Sequence, residues 1–239
     1  MTSVWDASWQ QAEIGTDWLE QRNLEHWIDE QKVDFIRSYV GDGPLEKVCE
    51  FGCGSARLAA RAALTFGGDV VGVDNSSEAL KLSQQTVEAV GLKGTFHAED
   101  VRQSTVPADS IDLVLSGGLL EHFEDPAPVL QEMARVLKPG GLLYADVVPR
   151  KWSLFRWKDW GRMKKSAYMS NGAFESDYLD DVYCRIYEDL GLVDMRCEWM
   201  GVYPRWVRYP QLKVFSRLDR GRLARWAGWY FMIAARKPS

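Results

Sequence analysis

The middle of the chain alternates between short apolar runs and stretches whose apolar residues recur every three or four positions. Residues 48–51, 69–73, 95–98, 111–116 and 142–148 read as strands. Between them, 56–64, 77–90 and 126–137 carry the spacing of a one-sided helix. Ser76 or Ser77 is the expected cap of the second helix, since a hydroxyl there satisfies a free amide of the first turn. Pro126 suits the first turn of the third, and Lys138-Pro139-Gly140-Gly141 ends it. Strand–helix alternation at this pitch implies right-handed crossovers and a parallel sheet covered on both faces, an α/β fold. The flanks follow another plan. Residues 17–40 predict a long helix with Leu24, Trp27, Ile28, Phe35 and Ile36 on one stripe. Residues 176–190 predict a helix stopped at Gly191, and 192–200 and 229–235 predict two late strands. With no repeat or linker, 1–239 is expected to be one domain.

Charge sharpens the division. The net −5 combines 11 Lys/Arg against 24 Asp/Glu in residues 1–149 with 18 against 10 in residues 150–239. Segments 150–165 and 205–225 each hold seven basic residues and one acid. Tryptophans are absent from 28–151 and collect in the flanks. Apolar residues at 46% and charged residues at 26% are ordinary for a globular protein. No run approaches the roughly 20 apolar residues that span a bilayer. The N-terminus lacks a signal peptide's basic start and apolar core, so a cytoplasmic location is expected. Cys49, Cys53, Cys184 and Cys197 form no zinc spacing and are expected as free thiols.

The chemistry concentrates at residues 47–58, KVCEFGCGSARL. A strand ends in Glu50-Phe51, followed by Gly52 and Gly54 and then a helix. Glycines at such a turn let a backbone approach a nucleotide-like ligand, where a Cβ would obstruct it. Glu50 would repel a pyrophosphate and hold an ammonium group. In an open parallel sheet ligands bind beyond the carboxyl ends of the strands, so residues at the other strand ends should join the site. Asp74-Asn75 ends the second strand, Asp100-Val101 follows the third, and Ser116-Gly117 ends the fourth. Asp74 has two acceptor oxygens for a ribose diol. Asp100 and the Val101 amide suit an adenine edge. Glu50 suits an ammonium, and Gly52, Gly54 and Ser116 leave room for a methionine chain. The ligand inferred is S-adenosylmethionine, with S-adenosylhomocysteine as its product.

The segments CEFGCGSARLA, VVGVDNSSEAL, FHAEDV, SIDLVLSGGLLEHFEDP and EMARVLKPGGLLYADV resemble the class I S-adenosylmethionine-dependent methyltransferases, in particular small-molecule enzymes of ubiquinone and menaquinone biosynthesis. The resemblance covers residues 47–148 and, loosely, 176–200 and 229–237. It implies a Rossmann-like seven-stranded mixed sheet of order 3-2-1-4-5-7-6 with the last strand antiparallel and helices on both faces. It also implies that 1–40, 150–175 and 201–228 carry acceptor specificity. The N-terminal segment is expected to fold over the cofactor as a lid, with Trp5, Trp9 or Trp18 excluding water. In some relatives a Glu-x-x-Glu-His pattern binds a metal. Glu121-His122 matches its end, but Gly118 stands at the first acid, and no metal is expected.

His122 follows the fourth strand and is the candidate base for a hydroxyl acceptor. His26 and His97 are expected to be structural. The basic stretches favour a small anionic acceptor, such as a sugar phosphate or lipid-linked compound, and peripheral contact with a membrane surface. Interleaved tryptophans keep an RNA acceptor open as the weaker reading; DNA is not expected, and the oligomeric state is not fixed. A non-catalytic binding protein of the same fold is a further alternative. An NAD-dependent oxidoreductase is the rival of another class, but it needs a small residue where Arg57 stands.

Overall fold

The computed structural model describes residues 5–10, 18–40, 44–154, 156–169, 171–203, 211–212 and 221–239. Seven strands form one sheet: β1 (Lys47–Phe51), β2 (Asp69–Asp74), β3 (Gly94–Ala98), β4 (Ile111–Gly117), β5 (Leu137–Val147), β6 (Val193–Met200) and β7 (Tyr230–Arg236). Their order is 3-2-1-4-5-7-6, with β1 to β5 parallel and β7 antiparallel to both its neighbours. The Rossmann-like sheet implied by the resemblance is therefore the one observed.

Helices α3 (Arg57–Phe66), α4 (Ser77–Ala89) and α5 (Ala127–Val136) make the parallel crossovers, preceded by α1 (Asp6–Trp9) and α2 (Leu24–Arg37). Later come α6 (Trp157–Met163), α7 (Asp180–Asp189) and α8 (Gly221–Ala227). The period-two geometry of the strands divides the core in two. Val48, Leu113, Leu115, Leu142, Tyr144, Met232 and Ala234 face α2 and α3, with Ile36, Leu58 and Ala62 among their partners. Cys49, Val114, Leu143, Ala145, Phe231 and Ile233 face the opposite way, onto Leu130 and Met133 of α5 and Tyr183 and Tyr187 of α7. Because both faces are covered, the central strands are apolar throughout instead of alternating.

Several boundaries differ from expectation, each for a local reason. The helix predicted over 17–40 spans Leu24–Arg37, because Asn23 is extended and its side chain accepts from the His26 amide. The helix predicted from 176 starts at Asp180. Residue 176 is held instead by neighbouring backbone: its amide donates to the Glu121 carbonyl and its own carbonyl accepts from Arg150, at 2.7 Å each. Strand β5 begins at Leu137, not 142, with a register shift opposite Ile111 and Leu113. Its glycine turn is tied to the chain end, Gly140 donating to the Lys237 carbonyl and Lys237 to that of Gly141. The cap of α4 is Ser76, whose hydroxyl accepts from the Ala79 amide. Most of the predicted insertion 201–228 and of the basic stretch 205–225 lies outside the described residues.

Candidate functional site

Strands β1 and β4 adjoin, yet the chain runs outward from them in opposite directions, so the crevice beyond their carboxyl ends is the topological switch point. A cavity of about 550 Å³ lies there, within the range of small-molecule sites. Seven of the predicted cofactor residues line it: Glu50, Gly52, Gly54, Asp74, Asn75, Val101 and Gly117. His122 lines it too.

The turn after β1 is left-handed at three positions, Gly52 (φ 64°), Gly54 (φ 52°) and Ala56 (φ 54°). A Cβ on Gly52 would stand 2.6 Å from Leu119, and one on Gly54 2.6 Å from the Trp9 indole. Asp74 fixes this turn from β2: one carboxylate oxygen accepts from the Gly54 amide and the other from the Ser76 amide, both at 2.9 Å. Burial raises the Asp74 pKa against the lowering effect of these amides. Glu50 is 5% exposed and accepts from the Ala59 amide in the first turn of α3 at 3.0 Å. Burial pushes its carboxyl up to about 8, with the Ala59 amide and Lys32 pulling the other way.

Three predicted residues stand apart from the cavity. The Phe51 side chain is fully buried in the sheet core. The Asp100 carboxylate turns outward to Arg102, which donates to it from Nε at 2.9 Å and from Nη2 at 2.6 Å. Ser116 is buried, and its hydroxyl has no partner among the described residues.

His122 sits on a short 3-10 turn, Leu120–His122. Its Nδ1 is 2.6 Å from the Phe174 carbonyl. A carbonyl can only accept, so Nδ1 carries a proton, and in the neutral ring Nε2 is the acceptor. The Trp5 ring packs at 4.7 Å from the imidazole. Trp5 and Trp9 both line the cavity, and the Asp6 carboxylate between them accepts from the Ser76 hydroxyl at 2.6 Å. Trp18 does not join them; it is buried against the guanidinium groups of Arg57 and Arg61.

The cavity also contains a charge cluster absent from the sequence-based set. Lys32 of α2 reaches Asp146 at the end of β5 at 2.8 Å. Asp29, one turn earlier, meets Arg57 at 3.1 Å, and Arg57 also holds Glu25 at 2.5 Å. Burial opposes the charge on Lys32, but Asp146 and Asp29 outweigh it and its pKa stands above the ordinary lysine value. The sequence held one signal for this group: Asp146 interrupts an otherwise apolar buried strand, and a buried acid needs a partner.

Among the described residues no group of three His, Cys, Asp or Glu is arranged to hold a metal ion. None of the described residues of the basic segment 150–165 lines the cavity. Arg150 is paired with Asp177, and Arg156 and Arg162 with Glu175.

Residues 49–145 match the family described as "Methyltransferase domain". A ubiquinone biosynthesis O-methyltransferase of Bordetella avium is 29% identical over 126 residues, 52% of each chain. The chain thus spans about half the length of the curated relatives it matches. Among solved structures, phosphoethanolamine N-methyltransferase 2 of Haemonchus contortus, in complex with S-adenosyl-L-methionine, matches with a TM-score of 0.66 and 17% identity. That match covers 100% of this chain and 61% of the other. The [4+2]-cyclase SpnF matches with a TM-score of 0.62 and 19% identity, over 90% of this chain and 83% of the other. At these identities the structures share the fold, and the cyclase illustrates that the fold alone does not name a reaction.

Proposed function

We propose that the protein is an S-adenosylmethionine-dependent methyltransferase acting on a small-molecule hydroxyl, with His122 as the base. One observation carries this reading: Glu50 and Asp74, acids at the ends of adjacent strands, face a single cavity across the Gly52–Gly54 turn. The donor set fits the ligand. Glu50 would take its ammonium group, and Asp74, with lone pairs beyond those given to Gly54 and Ser76, would accept from its ribose hydroxyls. Val101 would meet the adenine through its backbone, while Asp100 would join only by releasing Arg102. When bound, the cofactor supplies a methyl group already activated on sulfur.

The chain's own task is then alignment, water exclusion and one proton. A hydroxyl must lose its proton to attack, and Nε2 of His122 is the free acceptor because Nδ1 is committed to Phe174. Trp5, Phe123 and Trp229 supply apolar wall beside it, and α1 acts as a lid over the turn through Trp9. The B. avium relative is an O-methyltransferase by name, which agrees with a hydroxyl acceptor. An anionic acceptor draws no support from the described wall, where Glu25, Asp29, Glu50, Asp74 and Asp146 outnumber Lys32 and Arg57.

Calorimetric titration with S-adenosylhomocysteine and with NADH tests the cofactor, and methyl transfer from labelled donor into a cell extract tests the reaction. Binding of the first ligand and transfer to a small molecule are expected. Tight binding of NADH alone would overturn the reading.

A further inference from the structure

The described surface has one concentration of exposed apolar side chains that methyl transfer does not use. Trp157 is 62% exposed and Trp226 58%, with Leu154 at 46% and Leu223 at 44%. Indoles are usually well buried, so two standing in water require an explanation. All four lie on or beside one junction of the chain, Leu154 and Trp157 just after Trp152 and Ser153, and Leu223 and Trp226 on α8. Trp152 packs on Trp226 with ring centroids 5.0 Å apart, and the Ser153 hydroxyl donates to the Ala227 carbonyl, so the segment leading into α6 lies against α8. On α8, Leu223 and Trp226 are three positions apart and share a face.

Cations border the patch. Lys158 lies 5.8 Å from the Trp157 ring, Lys164 and Lys165 are exposed just past α6, and Arg225, also paired with Asp180, neighbours Trp226. Indoles and leucines fringed by lysine and arginine match the boundary of an anionic bilayer: the rings enter at headgroup depth and the cations meet lipid phosphates. Helices α6 and α8 have seven residues each, about 10 Å, so the contact is with the surface and not across it. The patch also adjoins the cavity along the chain. Helix α8 ends at Ala227, and Trp229 and Tyr230 line the cavity.

We propose that this patch, centred on Trp157 and Trp226, docks the protein peripherally on anionic lipid surfaces. The proposal goes beyond methyl transfer and does not depend on it. The test is co-sedimentation of the full chain with vesicles of phosphatidylcholine alone and of equimolar phosphatidylcholine and phosphatidylglycerol, at low and high sodium chloride. Sedimentation with the anionic vesicles only, weakened by salt, is expected. The double variant Trp157→Ala/Trp226→Ala should lose at least about tenfold in vesicle affinity, and Lys158→Glu/Lys164→Glu/Lys165→Glu should do the same, each with unchanged S-adenosylhomocysteine binding. The lysine variant decides the matter by itself if the tryptophan variant does not fold. No sedimentation of the wild type, or equal sedimentation of the variants, overturns the proposal. So does a wild type that self-associates or retains RNA through these residues while ignoring vesicles.

Discussion

Replacing Glu50 by glutamine separates what this acid costs the fold from what it gives the site. Its carboxyl is buried and titrates near 8 instead of 4.5. A folded-state pKa raised above the unfolded value means that the folded chain binds the extra proton. The resulting stability is fully present below about pH 4.5 and is lost as pH rises through about 8. The shift corresponds to at most about 5 kcal/mol. Glu50→Gln cannot ionise, so the variant should match the wild type near pH 5 and exceed it above pH 8. Some slope should persist, because burial also raises Asp29, Asp74 and Glu121. Binding should move the other way. An ammonium arriving at Glu50 favours the carboxylate, so wild-type affinity for S-adenosylhomocysteine should rise by up to about tenfold per pH unit between pH 6 and 8, releasing about one proton. A charge-assisted hydrogen bond contributes about 1.5–3 kcal/mol, so Glu50→Gln should bind ten- to a hundredfold more weakly at pH 8, with a flat profile. Urea unfolding across pH and calorimetry in buffers of different ionisation enthalpy measure both effects. A variant that binds as well as the wild type, or a wild-type affinity indifferent to pH, would refute the placement of the ammonium at Glu50.

Three further outcomes are expected. His122→Ala should lower kcat by about 10²- to 10⁴-fold, with S-adenosylhomocysteine affinity held within about threefold; an unchanged kcat at every pH would dismiss His122 as base. Lys32→Met leaves Asp146 buried without its cation and should cost about 3–5 kcal/mol in urea unfolding, most of it regained in Lys32→Met/Asp146→Asn. Gly54→Ala imposes φ 52° on alanine and drives its Cβ into Trp9, so cofactor affinity should fall; Trp9→Ala in the same chain should recover part of the loss, measured by titration of each variant.

What was legible in the sequence was whatever depends on neighbours along the chain. Strands β1, β2 and β4 announce themselves because burial on both faces leaves nearly continuous apolar runs. The Ser76 cap and the turn glycines are short-range signals, and the acids that follow each strand inherit their place from the sheet. Pairing across the fold was not legible. Asp29 and Lys32 read as the polar side of an amphipathic helix until α2 is laid across the ends of β4 and β5, where Asp146 receives the ammonium. The pairing of Asp100 is local: Arg102, two residues on, holds its carboxylate. The boundaries of β5 and α7 were missed because bonds from Lys237, Glu121 and Arg150 decide them.

The same local geometry explains why a dinucleotide is a poor fit to this turn. A Rossmann oxidoreductase places the pyrophosphate on the free amides of the helix that follows the glycines. Here one of those amides, that of Ala59, already donates to Glu50, so the chain caps its own anion site with an acid. Among the described lining residues the cations Lys32 and Arg57 offer no substitute, since Lys32 is held by Asp146 and Arg57 by Glu25 and Asp29. A pyrophosphate would have to enter past Glu50 and Asp74 and break an internal ion pair to gain a partner. A ligand bringing positive charge does the opposite: it favours the carboxylate of Glu50 and requires neither lining cation to leave its partner. On the proposed reading, the preference for a cationic amino-acid end over a phosphate follows from the first turn of α3, independently of what the acceptor is.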